Sequence, residues 1–170
     1  LKLNLFKIPS GEITNIPYLR KIGALKKKII LSTGMSNTEE IKKAIKTIIS
    51  SGTKKKNLTV LHCSSEYPAE KNNLNLLSIP LMKKKFNINV GYSDHSLGLQ
   101  ASFTAVALGA KVIEKHFTTN KKLSGPDQKA SISPNQLANL VVGIRSIEST
   151  LGNNIKEPYS AELKNLKFIR

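Results

Sequence analysis

Residues 86–98 read FNINVGYSDHSLG, an apolar, β-prone run that stops on a serine, an acid and an imidazole. Such a run, flanked by helical patterns, reads as a strand buried on both faces of a parallel sheet. The end of a buried strand is a costly place to leave a charge and an imidazole without partners. The same grammar recurs along the chain. Short β-prone runs cover Leu5 to Ile8, Lys28 to Leu31, Leu58 to His62, Ile88 to Tyr92 and Val112 to Lys115. Helical patterns fill the gaps. In SNTEEIKKAIKTIISSG, Ser36 and Glu39 have capping-box spacing, and Ile41, Ala44, Ile45, Ile48 and Ile49 form one stripe closed by Gly52. In SPNQLANLVVGIRSIESTLG, Ser133 is the expected N-cap, followed by Pro134 and Gln136. Its stripe runs through Leu137, Leu140, Val141, Ile144, Ile147 and Leu151. LGLQASFTAVALGA, after Ser96, is apolar nearly all round, as expected of a helix pressed against a sheet.

Strand and helix alternating every ~20–30 residues means successive parallel βαβ units. The residues after each strand then matter, because all C-terminal strand ends of a parallel sheet share one edge. They are Ser10 and Glu12; Ser32 and Thr33; Ser64, Ser65 and Glu66; Ser93, Asp94 and His95; His116 and Thr118. An open sheet sends only the loops at its switch point to a ligand. Here all five strand ends carry polar chemistry, which points to a closed parallel (β/α)8 TIM-type barrel of which about five β/α units are present.

His95 and His116 end consecutive strands, which in a parallel sheet lie about 5 Å apart. That spacing is compatible with one divalent metal held between them and equally with a hydrogen-bonded core pair. Two histidines with oxygen ligands suit Mn, Fe, Co or Zn. His62 reads as a buried, hydrogen-bonded imidazole and Cys63 as a small core residue. The stretch 117–133, FTTNKKLSGPDQKASIS, is long enough for a loop that binds or covers something. Within it Asp127 is either a ligand-hydroxyl acceptor or a turn former. Lys7, inside the first strand, either meets an anion in the barrel or faces solvent.

Composition sets outer bounds. No run reaches the ~18 apolar residues a membrane span needs, LKLNLFKIPSGE lacks the pattern of a signal peptide, and a single cysteine fits a reducing cytoplasm. The formal net charge of +16 raises a nucleic-acid reading. Its distribution argues against one. Of the 27 basic residues only Arg20, Arg145 and Arg170 are arginines, and no basic stretch interleaves aromatics for base stacking. Lys26 to Lys28, Lys54 to Lys56 and Lys83 to Lys85 each fall between a helical and a strand pattern, where cations complement a helix C-terminus.

Six blocks, KIPSGEITN, ILSTGM, LHCSSEYP, VGYSDHSLG, ALGAKVIEKHFT and GPDQKAS, occur in this order. In that order and spacing they resemble the N-acetylneuraminate (sialic acid) synthase family, which includes legionaminic and pseudaminic acid synthases. The resemblance implies a (β/α)8 catalytic barrel followed by a small C-terminal antifreeze-like domain. This chain would hold strands four to eight over residues 1–152 and the start of the linker over 153–170. The opening on Leu1 and the ending at Phe168-Ile169-Arg170 also suggest a piece of a longer protein.

The implied reaction condenses phosphoenolpyruvate with an N-acetylated aldose, N-acetylmannosamine or a 2,4-diacetamido relative, into a nine-carbon sugar acid. Phosphate is released, and a divalent metal, usually Mn2+ with Mg2+ or Co2+ as alternatives, is required. By resemblance, His95 and His116 match the metal ligands. Lys7, Ser10, Ser32 and Ser93 match the phosphoenolpyruvate contacts, Glu12 an acid near the reacting carbons, and Tyr67 and Asp127 the sugar contacts. Ser65 stands where some members carry Asn, and Gln128 where many carry His, so the exact sugar stays open. The family also implies a cytoplasmic homodimer. Two other classes remain at this point: a different metal-dependent barrel synthase or aldolase, and a non-catalytic basic binding module.

Overall fold

The computed structural model describes residues 2–169, apart from the side chain of Lys167; Leu1 and Arg170, the two ends of the sequence, lie outside the described residues. Five strands form one sheet: β1 Leu5–Ile8, β2 Lys28–Ser32, β3 Leu58–Cys63, β4 Asn89–Asp94 and β5 Ile113–Lys115. Helices α1 (Ile16–Ala24), α2 (Thr38–Ser50), α3 (Ser78–Phe86) and α4 (Gln100–Ala107) connect them, and α5 (Pro134–Thr150) follows β5. The sheet order is β1-β2-β3-β4-β5 and every pairing is parallel. Neighbours in sequence are neighbours in space throughout, so the order never reverses as it does in a doubly wound sheet. The five units form half of a TIM-type barrel.

The core lies between the sheet and the helices. Ile8, Ile29, Leu31, Leu58, Val60 and Val90 face it from the strands, with Leu19, Ile41, Ala44, Ile48, Ile79 and Ala105 opposite. Alternation along the strands then sends Lys7, Ser32, Cys63, Ser93 and Glu114 to the other face. The α2 stripe is buried as its periodicity predicts, except that Ile49 is only partly covered. Its cap is one residue later than the Ser36–Glu39 spacing suggests. Asn37 accepts from the backbone N–H of Glu39 and Glu40, and Glu40 accepts from the N–H of Asn37. Asparagine's carbonyl oxygen serves the same donors as a serine hydroxyl, which leaves Ser36 bonded to Gly34 O. The Ser133–Gln136 box of α5 forms as expected.

The α5 stripe does not become core. Of its apolar positions Leu140 is buried, but Leu137, Val141 and Leu151 remain 40%, 48% and 50% exposed. Beyond it residues 153–159 are irregular and exposed, and an additional helix, α6 (Ser160–Ile169), forms in the stretch read as the start of a linker. Among the described residues no helix is long and apolar enough to cross a membrane.

Candidate active site

The C-terminal ends of the five strands border a cavity of about 420 Å³. Its wall includes Lys7, Ser10, Ser32, Ser65, Tyr67, Ser93, His95 and His116, eight residues singled out in the sequence. Pro9, Gly11, Met35, Cys63 and Glu114 complete it. Glu12 and Asp127 lie outside this wall. The Glu12 carboxylate accepts from Asn15 Nδ2 at 2.7 Å in the turn after β1. Asp127 sits in the long loop with Oδ2 3.7 Å from His116 Nδ1.

Close packing holds the hydroxyls in place. Ser10 Oγ accepts from Gly34 N at 2.9 Å and lies 3.4 Å from Cys63 Sγ. Gly34 gives them room: a Cβ there would push on Ser65 Oγ and come within 3.0 Å of Ser10 Oγ. Ser32 is buried, and its Oγ has no hydrogen-bond partner. A buried hydroxyl without a partner is costly, and in this wall a bound ligand can supply one. Lys7 Nζ is 3.3 Å from Glu114 Oε2, while Ser93 Oγ donates to Glu114 Oε1 at 2.8 Å.

The histidines have a defined arrangement. Their ring centroids are 5.2 Å apart. His95 Nδ1 lies 2.6 Å from the carbonyl of Ser64, which can only accept, so Nδ1 carries the proton and Nε2 a lone pair. Ser93 Oγ is 3.3 Å from that Nε2, but its single proton is directed at Glu114. The lone pair is therefore unclaimed. Burial holds His95 below the usual imidazole range and His116 pushes the same way, against the Ser64 carbonyl and the carboxylates of Glu114 and Asp94. A neutral ring whose far nitrogen is oriented by a backbone carbonyl is how proteins prepare a metal ligand. Tyr67 covers the pair, 4.2 Å from the His95 ring and edge-on to His116 at 5.5 Å. Among the described residues no group of three or more His, Cys, Asp or Glu is placed to hold an ion.

Not every polar strand end converges. Asp94 points away from the cavity and is fully buried: Oδ1 accepts from Ser96 N and Oγ, Oδ2 accepts from Ser102 Oγ, and Lys115 Nζ is 3.0 Å from Oδ2. Thr33 bonds to Leu61 O, Thr118 to Asn120 O, and Glu66 to Asn73 and the N–H of Glu70. Thr118 and Glu66 close turns, and Thr33 ties the end of β2 to β3. His62 is structural as expected, its Nε2 2.7 Å from Leu74 O and its ring stacked on Tyr92. Glu114, in the three-residue strand β5, is the cavity acid that the strand-end reading does not single out. Lys115→Met is expected to destabilise the fold by about 3–5 kcal/mol, because it leaves a buried carboxylate without its cation. Denaturant unfolding measures this, and Asp94→Asn added to it should recover most of the loss.

The sequence matches the NeuB family over residues 1–156. The chain belongs to the NeuB family. It is 52% identical over 170 residues to N,N'-diacetyllegionaminic acid synthase of Campylobacter jejuni subsp. jejuni serotype O:2, covering all of this chain and 51% of that protein. The crystal structure of N-acetylneuraminic acid (sialic acid) synthetase from Leptospira borgpetersenii, in complex with citrate, superposes with a TM-score of 0.91 at 34% identity. That match covers 98% of this chain and 57% of the other. A truncated 3-deoxy-D-arabino-heptulosonate 7-phosphate synthase from Thermotoga maritima shares the fold, with a TM-score of 0.73 at 23% identity over 88% of this chain and 60% of that one. This NeuB-family chain spans about half the length of the relatives it matches.

Proposed function

We propose that residues 1–152 are the second half of the catalytic barrel of a sialic-acid-type synthase. The reaction condenses phosphoenolpyruvate with N-acetylmannosamine or a 2,4-diacetamido relative and releases phosphate. The observation that carries this reading is one cavity wall that combines a lysine, a partnerless buried hydroxyl and an unclaimed imidazole lone pair. A cation and hydroxyls suit the phosphate and carboxylate of an enol phosphate; the imidazoles suit a divalent ion.

In the proposed reaction the methylene carbon of phosphoenolpyruvate bonds to the aldehyde carbon of the open-chain sugar, and the aldehyde oxygen gains a proton. Water adds to the phosphate-bearing carbon. Loss of phosphate from that carbon leaves the 2-keto acid. Lys7, Ser10, Ser32 and Ser93 hold the anionic groups, and Tyr67, Ser65 and Asp127 contact the sugar. His95 and His116 would hold the divalent ion, most simply Mn2+, which polarises the aldehyde as a Lewis acid when bound. Glu12 positions or deprotonates the water from the turn beside the wall; unchanged turnover in Glu12→Gln would remove it from the reaction. The working protein is a cytoplasmic homodimer, and residues 153–170 lead toward its second domain. Phosphate release that needs both phosphoenolpyruvate and the N-acetyl sugar, measured on a full-length protein carrying this segment, tests the whole reading. Release with an unacetylated aldose alone would favour a different barrel synthase.

Lys7 has a specific signature. In that protein Lys7→Met is expected to raise KM for phosphoenolpyruvate about 10- to 100-fold, the cost of one charge-assisted bond. KM for the sugar should stay within about twofold. Equal effects on the two substrates would remove Lys7 from the anion pocket.

A further inference from the structure

Lysines cluster in the turns at the end of the half barrel opposite the catalytic one, where acids are few. Glu12, Glu66, Glu70, Asp94, Glu114 and Asp127 lie at or after strand ends, and Glu39 and Glu40 open α2, all toward the catalytic end. The turns that lead into β2, β3, β4 and β5, with the last turn of α3, carry Lys26 to Lys28, Lys54 to Lys56, Lys83 to Lys85 and Lys111. They contain no Asp or Glu. Among the described residues none of these lysines forms a salt bridge. Complementing the dipole of α3 accounts for Lys83 to Lys85. It does not account for Lys54 to Lys56, which lie beyond the end of α2, because that effect fades within the last helical turn.

Three of these cations share one concavity. A cavity of about 440 Å³ is lined by Lys55, Lys56, Lys83, Asn87, Ile88 and Asn89. Asn87 turns the chain into β4 with φ 50°, a left-handed conformation that asparagine tolerates. Lys83 Nζ lies 3.6 Å from where Gly109 would carry a Cβ, so the ammonium reaches across to the α4–β5 turn. The cavity sits below β3 and β4, inside the sheet order and away from its open edges.

We infer that this cavity is an anion site, at the end opposite the reaction, for phosphate groups carrying two or more negative charges. Lysine side chains that line one concavity give it a positive potential that an anion would neutralise, and the surrounding lysines raise the local anion concentration. Asparagine amides add neutral donors. The lining has no aromatic ring, so it is built for phosphate and not for stacking a base.

The test titrates inorganic tripolyphosphate into the full-length protein by calorimetry. With the catalytic pocket filled by saturating phosphoenolpyruvate, one further site per chain is expected, weakened at least about tenfold in the variant Lys55→Gln/Lys56→Gln/Lys83→Gln. The control Lys42→Gln/Lys43→Gln/Lys46→Gln makes the same charge change on the exposed face of α2 and should cost less than about twofold. Equal losses in both variants, or no binding by the unaltered protein, would overturn the site. Vesicles containing phosphatidylinositol phosphate, retained by the protein and released in the first variant alone, would identify a lipid headgroup as the source. Binding confined to tripolyphosphate would identify a free ligand. Single-stranded RNA held equally by both variants and displaced by tripolyphosphate would reduce the site to nonspecific charge.

Discussion

In a full-length protein carrying this segment, His95→Ala and His116→Ala are each expected to lower sugar-dependent phosphate release by about a thousandfold or more. A single electrostatic donor lost from a reacting oxygen costs about 2.7–4 kcal/mol, and either substitution removes half of a two-imidazole set. The rings are 5.2 Å apart, and the His95 Nε2 lone pair is unclaimed because Nδ1–H donates to the Ser64 carbonyl and the Ser93 hydroxyl donates to Glu114. Neither ring is a main part of the apolar core. Circular dichroism should therefore remain native while Mn2+ affinity falls in both variants. Two variants that keep full Mn2+ affinity would show that the imidazoles are a packed pair and not ligands. The affinity measurement separates this from a merely structural role, which would alter stability first.

The fold and most of the cavity wall were legible because parallel strands obey a short rule. Once five strands are placed, every C-terminal end is at one edge, and chain order predicts neighbours; the paired register Cys63↔Ser93 and Ser93↔Glu114 follows. Which side chains of a strand end enter the cavity depends on a parity the sequence does not display. Asp94 and Ser93 are adjacent and equally polar, yet only Ser93 lines the wall. Asp94 lies on the helix side because Ser102 of α4 and Lys115 of β5 meet it there, contacts separated by many residues in sequence. Glu114 was passed over for a related reason. Its strand begins at Ile113, too short for alternation to stand out. Glu12 was legible as an acid beside the site but not as a group engaged with Asn15, since that depends on the turn after β1.

Residues 1–170 expressed alone are expected to show no synthase activity. A (β/α)8 barrel surrounds its substrates with eight strands, whereas here the free edges of β1 and β5 flank an open cavity. Apolar surface follows that opening. Leu3 and Leu5 beside the β1 edge are both 49% exposed, and on α5 Val142 is 69% exposed. Open parallel edges with apolar flanks promote association between chains, so poor solubility should accompany the lack of turnover. Water also reaches the Lys7–Glu114 pair, whose side chains are 35% and 39% exposed, and screening weakens any hold on an anion there. His95 and His116 both lie within the segment, so weak Mn2+ binding can survive without catalysis. The measurement is phosphate release from phosphoenolpyruvate with N-acetylmannosamine or a 2,4-diacetamido sugar and Mn2+ present, on purified segment shown by circular dichroism to be folded. Robust sugar-dependent turnover would mean that half a barrel suffices to bring the two carbons together, and the missing strands would then be needed for stability and not for chemistry.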